Sequence, residues 1–228
     1  MAKLSIIIPT LNAAKVLGPT LDALAQMESA GLIKELVVSD GGSEDGTQTA
    51  VIKAGANLVE VAPGRGGQLR AGADAARGEW FLFLHADTVL ARGWSDNVRD
   101  FIARPNSFEV AGYFEFALDD ISISARRLER LVRLRNSLFG LPYGDQGLLV
   151  SKHLYQSIGG YQNYPLMEDV DIVRRLGRRA LIPIGSRATT SAIRFQQDGY
   201  WSRATRNLAC LGLFYFGVPV DTIERVYG

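Results

Sequence analysis

Apolar and polar positions form alternating blocks along the first half of the chain. Four short runs rich in β-branched or aromatic residues are typical of strands buried on both faces. The segments between them have apolar residues at helical spacing or are rich in Ala. This β-α-β-α-β-α-β order predicts a mostly parallel sheet covered by helices. The predicted strands are 4–8, 35–39, 57–61 and 80–84, and the predicted helices are 17–30, 47–54 and 68–77.

The second half of the chain mixes strands and helices around the same sheet. The fold class is therefore α/β, a single domain with a mostly parallel mixed sheet covered by helices. The predicted strands are 109–118, 147–150 and 188–193, and the predicted helices are 122–138, 167–179 and 198–217, with one more helix after residue 150.

Composition places the chain among ordinary globular proteins. Of its 228 residues, 47% are hydrophobic and 21% are charged, and the formal net charge is +1. These values exclude a disordered chain and leave no basic excess for binding nucleic acid. Cys210 is the one cysteine of the sequence, which excludes a disulfide scaffold. No secretory signal or membrane span is visible in the sequence, which favours a cytoplasmic protein.

Charge is distributed unevenly along the chain. Residues 115–228 carry 15 basic and 11 acidic side chains, and much of the basic excess lies in 126–135 and 174–179. Such runs are typical of solvated helix faces. The alternative is attraction to an anionic substrate or an anionic membrane surface.

Polar or Gly-rich loops follow all four strands predicted in the first half. Ligands bind at the carboxyl ends of the strands in open parallel sheets, so these loops predict a pocket. No GxxxxGK[ST] loop or GxSxG elbow is present, and GxGxxG does not follow the first strand. One Cys and two distant His do not make a zinc site. The loops are 9–12, 40–42, 62–67 and 85–88.

Four motifs occur in order along the chain: SIIIPTLN, VVSDGGSEDGT, GRGGQLRAGADAARGEWFLFLHADT and MEDVDIVRRL. With them the chain resembles family 2 glycosyltransferases of the A-type fold, the fold of nucleotide-diphospho-sugar transferases. Within that family it is similar, on GRGGQL, LHADT, YGDQG and PLMEDVD, to a bacterial subgroup associated with arsenosugar biosynthesis.

This resemblance implies a metal-dependent, inverting glycosyltransferase. Such an enzyme moves a sugar from a nucleotide-diphosphate donor, here expected to be UDP-linked, to the hydroxyl of an acceptor that the sequence does not name. Residues 1–114 would form the nucleotide-binding half. Residues 115–228 would form the acceptor and catalytic half, ending in a C-terminal helix.

The resemblance also implies a role for individual side chains. LHADT occupies the place of the family's DxD motif, with His85 instead of the first Asp, so Asp87 and His85 are the expected ligands of Mn²⁺ or Mg²⁺. Alternatively, His85 could form a hydrogen bond with the sugar or the ribose. Asp169 is the expected general base, with Glu168 as second choice. The residues expected around the donor are Pro9, Thr10, Asn12, Asp40, Gly41, Arg65, Gln68, Ala86 and Asp145, with Asp40 accepting a hydrogen bond from the base.

Each of these roles has a purely structural alternative. Asp40 could cap its own turn, Asp87 could begin a helix, and the three carboxylates of MEDVD could simply face the positive end of a helix dipole. Arg194, Tyr200 and Trp201 could close over the donor, as C-terminal segments do in this family, but we interpret them as structural.

Two other function classes stay open at the level of sequence. A sugar nucleotidyltransferase shares an α/β nucleotide-binding layout, but PTLNAAK is a poor version of its first loop. A non-catalytic nucleotide-binding or membrane-associated protein would agree with His85 in the DxD motif and with the apolar segment 208–218. We expect no nucleic-acid partner. Membrane contact is possible but not expected, and the sequence leaves a homo-oligomer open.

Overall fold

The computed structural model describes residues 3–25 and 31–227. An eight-stranded sheet runs through the molecule in the order β3-β2-β1-β4-β7-β6-β8-β5. The strands are β1 Leu4–Thr10, β2 Ile33–Asp40, β3 Asn57–Glu60, β4 Trp80–Phe83, β5 Thr88–Leu90, β6 Ala111–Leu118, β7 Leu148–Ser151 and β8 Leu181–Thr190.

The sheet is mixed. Strands β1 to β4 run parallel to one another, and β6 runs parallel to β8. Strand β7 is antiparallel to β4 and β6, and β5 is antiparallel to β8. The predicted fold class is confirmed, and both halves of the chain contribute strands to this one sheet.

Helices cover both faces of the sheet, and strand β4 shows why. Its alternate residues Trp80 and Leu82 pack into one apolar cluster, while Phe81 and Phe83 pack into the other. The helices are α1 Ala14–Ala25, α2 Thr47–Lys53, α3 Arg65–Ala75, α4 Trp94–Ile102, α5 Ile123–Phe139, α6 Lys152–Ser157, α7 Glu168–Leu176, α8 Ile193–Asp198, α9 Tyr200–Tyr215 and α10 Val220–Tyr227.

Several predicted boundaries were wrong. The predicted strand 188–193 is the end of the longer β8, which stops at Thr190, and Ile193 begins α8. The predicted helix 198–217 does not begin at residue 198, because Gly199, with φ of +83°, separates α8 from α9. The first helix begins at Ala14 rather than residue 17, and residues 26–30 of that prediction lie outside the described residues.

The C-terminal helices pack against α7. Met167 and Val170 contact Cys210 and Leu211 of α9 and Ile223 of α10 in one buried cluster. Within residues 3–25 and 31–227, no helix combines the length and the apolar character needed to cross a membrane. The cytoplasmic location stays a prediction.

Candidate active site

A cleft of about 480 Å³ opens at the carboxyl ends of the parallel strands β1 and β4. Eight of the residues predicted for the site line it: Pro9, Thr10, Asn12, Arg65, Gln68, His85, Ala86 and Asp87. The pocket predicted from the loops therefore exists. Asp169 lies beside it, in a neighbouring cavity of about 70 Å³ that shares Arg65 with the cleft.

The carboxylate of Asp40 organises the loop after β2. It is fully buried and accepts hydrogen bonds from Thr10 Oγ1, Gln48 Nε2, the Ser43 hydroxyl and the amides of Gly42 and Ser43. Burial alone would raise the pKa of Asp40, but these bonds, those from Ser43 first, hold it below the usual value. Five donors already fill the roughly four lone-pair positions of a carboxylate. Recognition of a base by Asp40 stays a prediction that requires one of these bonds to break.

Asn12 ties the loop after β1 to the loop after β2. Its backbone is left-handed, with φ of +50°, a conformation that Asn adopts more readily than most residues. The Asn12 amide donates to Ser43 Oγ at 2.8 Å, and its side-chain oxygen accepts from the Glu44 amide at 3.0 Å. These bonds fix the rim of the cleft near the start of α1.

Gln68 fastens α3 to the ends of two strands. Its buried side-chain nitrogen donates to the carbonyls of Thr10 and Ser39, at 2.6 and 3.0 Å. A Cβ on Gly41 would lie 3.2 Å from that nitrogen, so a larger residue at position 41 would crowd it. Gln68 and Gly41 thus shape the floor of the cleft.

The HADT turn connects β4 to β5. Thr20 Oγ1 of α1 donates to the Ala86 carbonyl at 2.9 Å, and Thr88 Oγ1 lies 2.9 Å from Thr190 Oγ1 of β8. Asp87 is followed by a strand, so the alternative interpretation of Asp87 as a helix cap is wrong. Among the described residues, the Asp87 carboxylate has no hydrogen-bond partner, and it faces the cleft.

His85 is held in its neutral form. Burial first, then the positive charges of Arg65 and Arg194, lower the pKa of the His85 imidazole to about 3. A neutral imidazole can bind a metal or accept a hydrogen bond.

Asp169 and His85 meet at Gly144. A Cβ on Gly144 would lie 2.6 Å from His85 Nε2 and 3.4 Å from Asp169 Oδ2. The Gly144 amide donates to Asp169 Oδ2 at 2.8 Å and so orients that carboxylate. The YGDQG segment, MEDVD and HADT therefore converge at this point.

The neighbouring Glu168 has different surroundings. Its side chain is 1% exposed, neither of its oxygens has a hydrogen-bond partner among the described residues, and Arg65 Nη1 lies 3.6 Å away. Burial raises the pKa of Glu168 to about 7, with Arg65 opposing the rise and Asp169 adding to it. Met167, which precedes it, is left-handed with φ of +64°, a strained conformation that is common at functional sites.

Asp145 and Asp171 do not line the cleft, but Asp145 lies close enough to feel the charges of Asp87 and Arg65, which do. Burial above all raises the pKa of Asp145 to about 6, with Arg135 opposing and the Asp169 and Asp87 carboxylates adding. Asp171 pairs with Arg175 one turn further along α7. The pair accounts for Asp171 without any role in the cleft.

Two charged residues line the cleft although sequence reasoning did not assign them to it. They are Arg194 of α8, which was interpreted as structural, and Glu224 of α10. Neither lies in a recognisable motif, so no local signal pointed to Glu224.

The sequence profile of glycosyl transferase family 2 matches residues 5–149. The chain belongs to this family. The predicted enzyme class, a glycosyltransferase, is confirmed, and the matched segment contains both the strand-end loops and the HADT turn.

Curated relatives agree with this assignment. The PGL/p-HBAD biosynthesis glycosyltransferase of Mycobacterium bovis (strain BCG / Pasteur 1173P2) is 35% identical over 202 residues, which cover 78% of this chain and 71% of that protein. The glucosyl-3-phosphoglycerate synthase of Mycolicibacterium paratuberculosis is 30% identical over 95 residues. That match covers 38% of this chain and only 29% of the relative.

A solved structure shares the fold. The glucosyl-3-phosphoglycerate synthase of Mycobacterium tuberculosis, in complex with Mn²⁺, UDP-glucose and phosphoglyceric acid, superposes with a TM-score of 0.60 at 22% identity. The superposition covers 96% of this chain and 81% of that one. This confirms the A-type glycosyltransferase fold.

Asp87 and His85 offer a carboxylate and an imidazole to a divalent cation in the cleft. Within the described part of the chain, no cluster of three or more His, Cys, Asp or Glu residues can hold a metal ion by itself. Mg²⁺ and Mn²⁺ at nucleotide sites use one or two protein ligands and complete their shell with phosphate oxygens and water. Asp87 and neutral His85 fit this requirement.

Proposed function

We propose that this glycosyltransferase uses a UDP-linked sugar donor, depends on Mn²⁺ or Mg²⁺, and inverts the anomeric centre. The convergence of Asp169 and His85 on Gly144, beside the cleft, carries the proposal. The UDP-glucose and Mn²⁺ bound by the Mycobacterium tuberculosis enzyme of the same fold support it.

The two halves of the chain would have different roles. Residues 1–114 would bind the nucleotide, and residues 115–228 would supply the general base and bind the acceptor. The donor-binding residues would be Pro9, Thr10, Asn12, Asp40, Gly41, Arg65, Gln68, Ala86 and Asp145. In this scheme Asp40 and Gln68 act by shaping the loops, because their polar atoms bond to the protein itself.

The cation would be held by Asp87 and His85. Bound there, it would supply neutralising charge to the diphosphate that leaves the sugar. Arg65, whose side chain is only partly buried at the edge of the cleft, adds a fixed positive charge close by.

Asp169 would be the general base. The acceptor hydroxyl oxygen forms a bond to the anomeric carbon, the bond from that carbon to the diphosphate breaks, and the hydroxyl proton moves to Asp169. A single displacement of this kind inverts the anomeric centre. Glu168 would instead hold Arg65 in position, since it is buried against that guanidinium.

We also propose that the enzyme belongs to the arsenosugar-associated subgroup of family 2. The resemblance of GRGGQL, LHADT, YGDQG and PLMEDVD to that subgroup supports this placement. The placement does not name the acceptor whose hydroxyl receives the sugar.

The proposal is tested with two variants that separate binding from chemistry. UDP with Mn²⁺ should raise the Tm of the wild type and of Asp169→Asn, whereas Asp87→Asn should lose the metal-dependent part of the shift. UDP release from UDP-sugars, with a panel of hydroxyl acceptors, should fall by about 100-fold or more in Asp169→Asn, as expected for loss of a general base.

Asp171→Asn is the matched control. It removes a carboxylate from the same helix, but one that pairs with Arg175, so transfer should stay near the wild-type rate. Full activity of Asp169→Asn would refute the assignment of the base. If UDP raised the Tm by the same amount with and without metal, and equally in Asp87→Asn, the metal site would be refuted.

A further inference from the structure

Helix α5 carries a second apolar stripe that faces solvent. Its buried face consists of Ala125, Leu128 and their neighbours, which pack under β6. On the opposite side, four large aliphatic residues are exposed: Ile123 at 72%, Leu131 at 48%, Leu134 at 54% and Leu138 at 52%. They recur at helical spacing, so they form one line along the helix.

Arginines lie along the same exposed side. Arg127 and Arg130 are exposed beside the aliphatic residues, and Arg133 is exposed on the flank of the helix, at a cavity that Glu115 also lines. None of the three arginines forms an ion pair with any described residue. The single acid of α5, Glu129, is buried, accepts from the Leu118 amide and pairs with Arg126. The outward face is thus apolar and positively charged, with no carboxylate on it.

A neighbouring helix also exposes apolar side chains. Helix α9 packs against α5 and exposes Trp201 and Leu208, and Phe216 directly after α9 is exposed as well. Helix α9 also contains no acidic residue. The arginines Arg203 and Arg206 of α9 pair with Asp198, so α9 adds exposed apolar side chains near α5, while the unpaired positive charges belong to α5.

We propose that the α5 stripe, defined as Ile123, Leu131, Leu134 and Leu138 with Arg127, Arg130 and Arg133, docks the enzyme on an anionic membrane surface. Aliphatic side chains opposite a packed face, with arginines beside them, are the pattern of a helix that lies in the headgroup region. Arginine stems can lie along apolar surface while their charged ends contact lipid phosphates. A protein partner of neutral or basic surface would leave these arginines unpaired.

The docked helix would be connected to the active site by the loop that follows it. The loop after α5 carries Gly144 and Asp145. Arg135 of α5 stacks on the ring of Tyr143, with its Cζ atom 3.5 Å from the ring centre. A helix held at a bilayer would therefore bring this side of the site close to the lipid surface. This inference does not depend on the identity of the sugar donor.

The test is vesicle co-sedimentation with the full chain. Wild type should sediment with vesicles of phosphatidylcholine and phosphatidylglycerol and much less with phosphatidylcholine alone, and high salt should weaken binding. Leu134→Gln/Leu138→Gln should weaken binding by about tenfold or more, because two leucines no longer enter the apolar layer. Arg127→Gln/Arg130→Gln should remove the preference for the anionic lipid.

Ile52→Gln is the matched control. Ile52 is also an exposed aliphatic residue, but it lies on α2 beside β3, at the other end of the sheet. It should bind vesicles like the wild type, and all variants should keep the wild-type Tm because the changed side chains are exposed. Absence of sedimentation by wild type would overturn the proposal. So would a wild-type dimer in solution that Leu134→Gln/Leu138→Gln dissociates, since the stripe would then join two copies.

Discussion

At the scale of single residues, two adjacent carboxylates of α7 behave differently because of what surrounds them. Asp169 accepts a hydrogen bond from the Gly144 amide and borders open space, whereas Glu168 is buried beside Arg65. The surroundings of Asp169 suit a group that exchanges a proton with a ligand. The surroundings of Glu168 suit a group that positions the Arg65 guanidinium.

The raised pKa of Glu168 predicts a pH-dependent stability. In the folded state the pKa is about 7, against 4.5 in a model compound, so the folded chain binds this proton more tightly. The free energy of unfolding therefore falls as pH rises from about 4.5 to 7, by roughly 3 kcal/mol at most from this group. Glu168→Gln removes that loss. Its Tm relative to the wild type should climb by several degrees between pH 5 and 7.5, measured without metal or nucleotide. A difference that stays constant across this range would contradict the buried, proton-binding state of Glu168.

Gly144 is a second residue whose change has a specific expected result. An Ala Cβ there would lie 2.6 Å from His85 Nε2, so the imidazole or the loop must move. We expect Gly144→Ala to lower the rate of UDP release by about 100-fold, since displacements near 1 Å have costs of that size. A double-mutant cycle isolates the cause: Gly144→Ala/His85→Ala should be no slower than His85→Ala alone. Two independent losses that simply add would show that the clash with His85 is not responsible.

At the scale of elements, strand β1 was predictable because LSIII is apolar on both faces and lies in the middle of the sheet. The start of β8 was not, since Pro183 and Gly185 interrupt its apolar run and its buried positions include the polar Ser186. Strand β5 has only three residues, too few for a period to be recognised.

The site residues also divide into those that the sequence could predict and those that it could not. The loops at strand ends were predictable because topology places them together, and the roles of Asp87 and Asp169 were implied by family motifs. Arg194 and Glu224 reach the cleft from α8 and α10, elements far from the motifs along the chain. Only the packing of those helices brings them to it.

A glycine inside a helix and a glycine at the start of a helix give a matched pair of substitutions for a stability test. Gly212 lies inside α9, and a Cβ there would meet no atom within 4 Å outside its own helical neighbours. Gly212→Ala should therefore raise the free energy of unfolding by about 0.5–1 kcal/mol, through helix propensity. Gly93 is equally open, but its φ is +79°, so Gly93→Ala should be destabilising by about 1 kcal/mol or more. Urea denaturation measures both, and changes of the same sign would contradict the backbone argument.

At the scale of the whole molecule, the two predicted halves are interleaved. Strand β5, from the first half, pairs with β8 of the second half at the far edge of the sheet. Strand β4 pairs with β7 across the middle. The boundary at residue 114 falls inside β6. The donor-binding and acceptor-binding parts of the chain therefore belong to one folding unit, even where their roles differ.

This interleaving predicts one cooperative unfolding transition. Removing residues 115–228 would leave β4 without β7 and β5 without β8, and would expose large buried side chains such as Trp80 and Phe114. In Trp201→Phe, the remaining fluorescence comes from Trp80 and Trp94, both in the first half. Its urea midpoint should coincide with the midpoint from far-ultraviolet circular dichroism, which reports on the entire chain. Fragment 1–114 should show no such transition. Separate midpoints, or a fragment that unfolds cooperatively, would mean that the first half is a folding unit and that the shared sheet adds little to its stability.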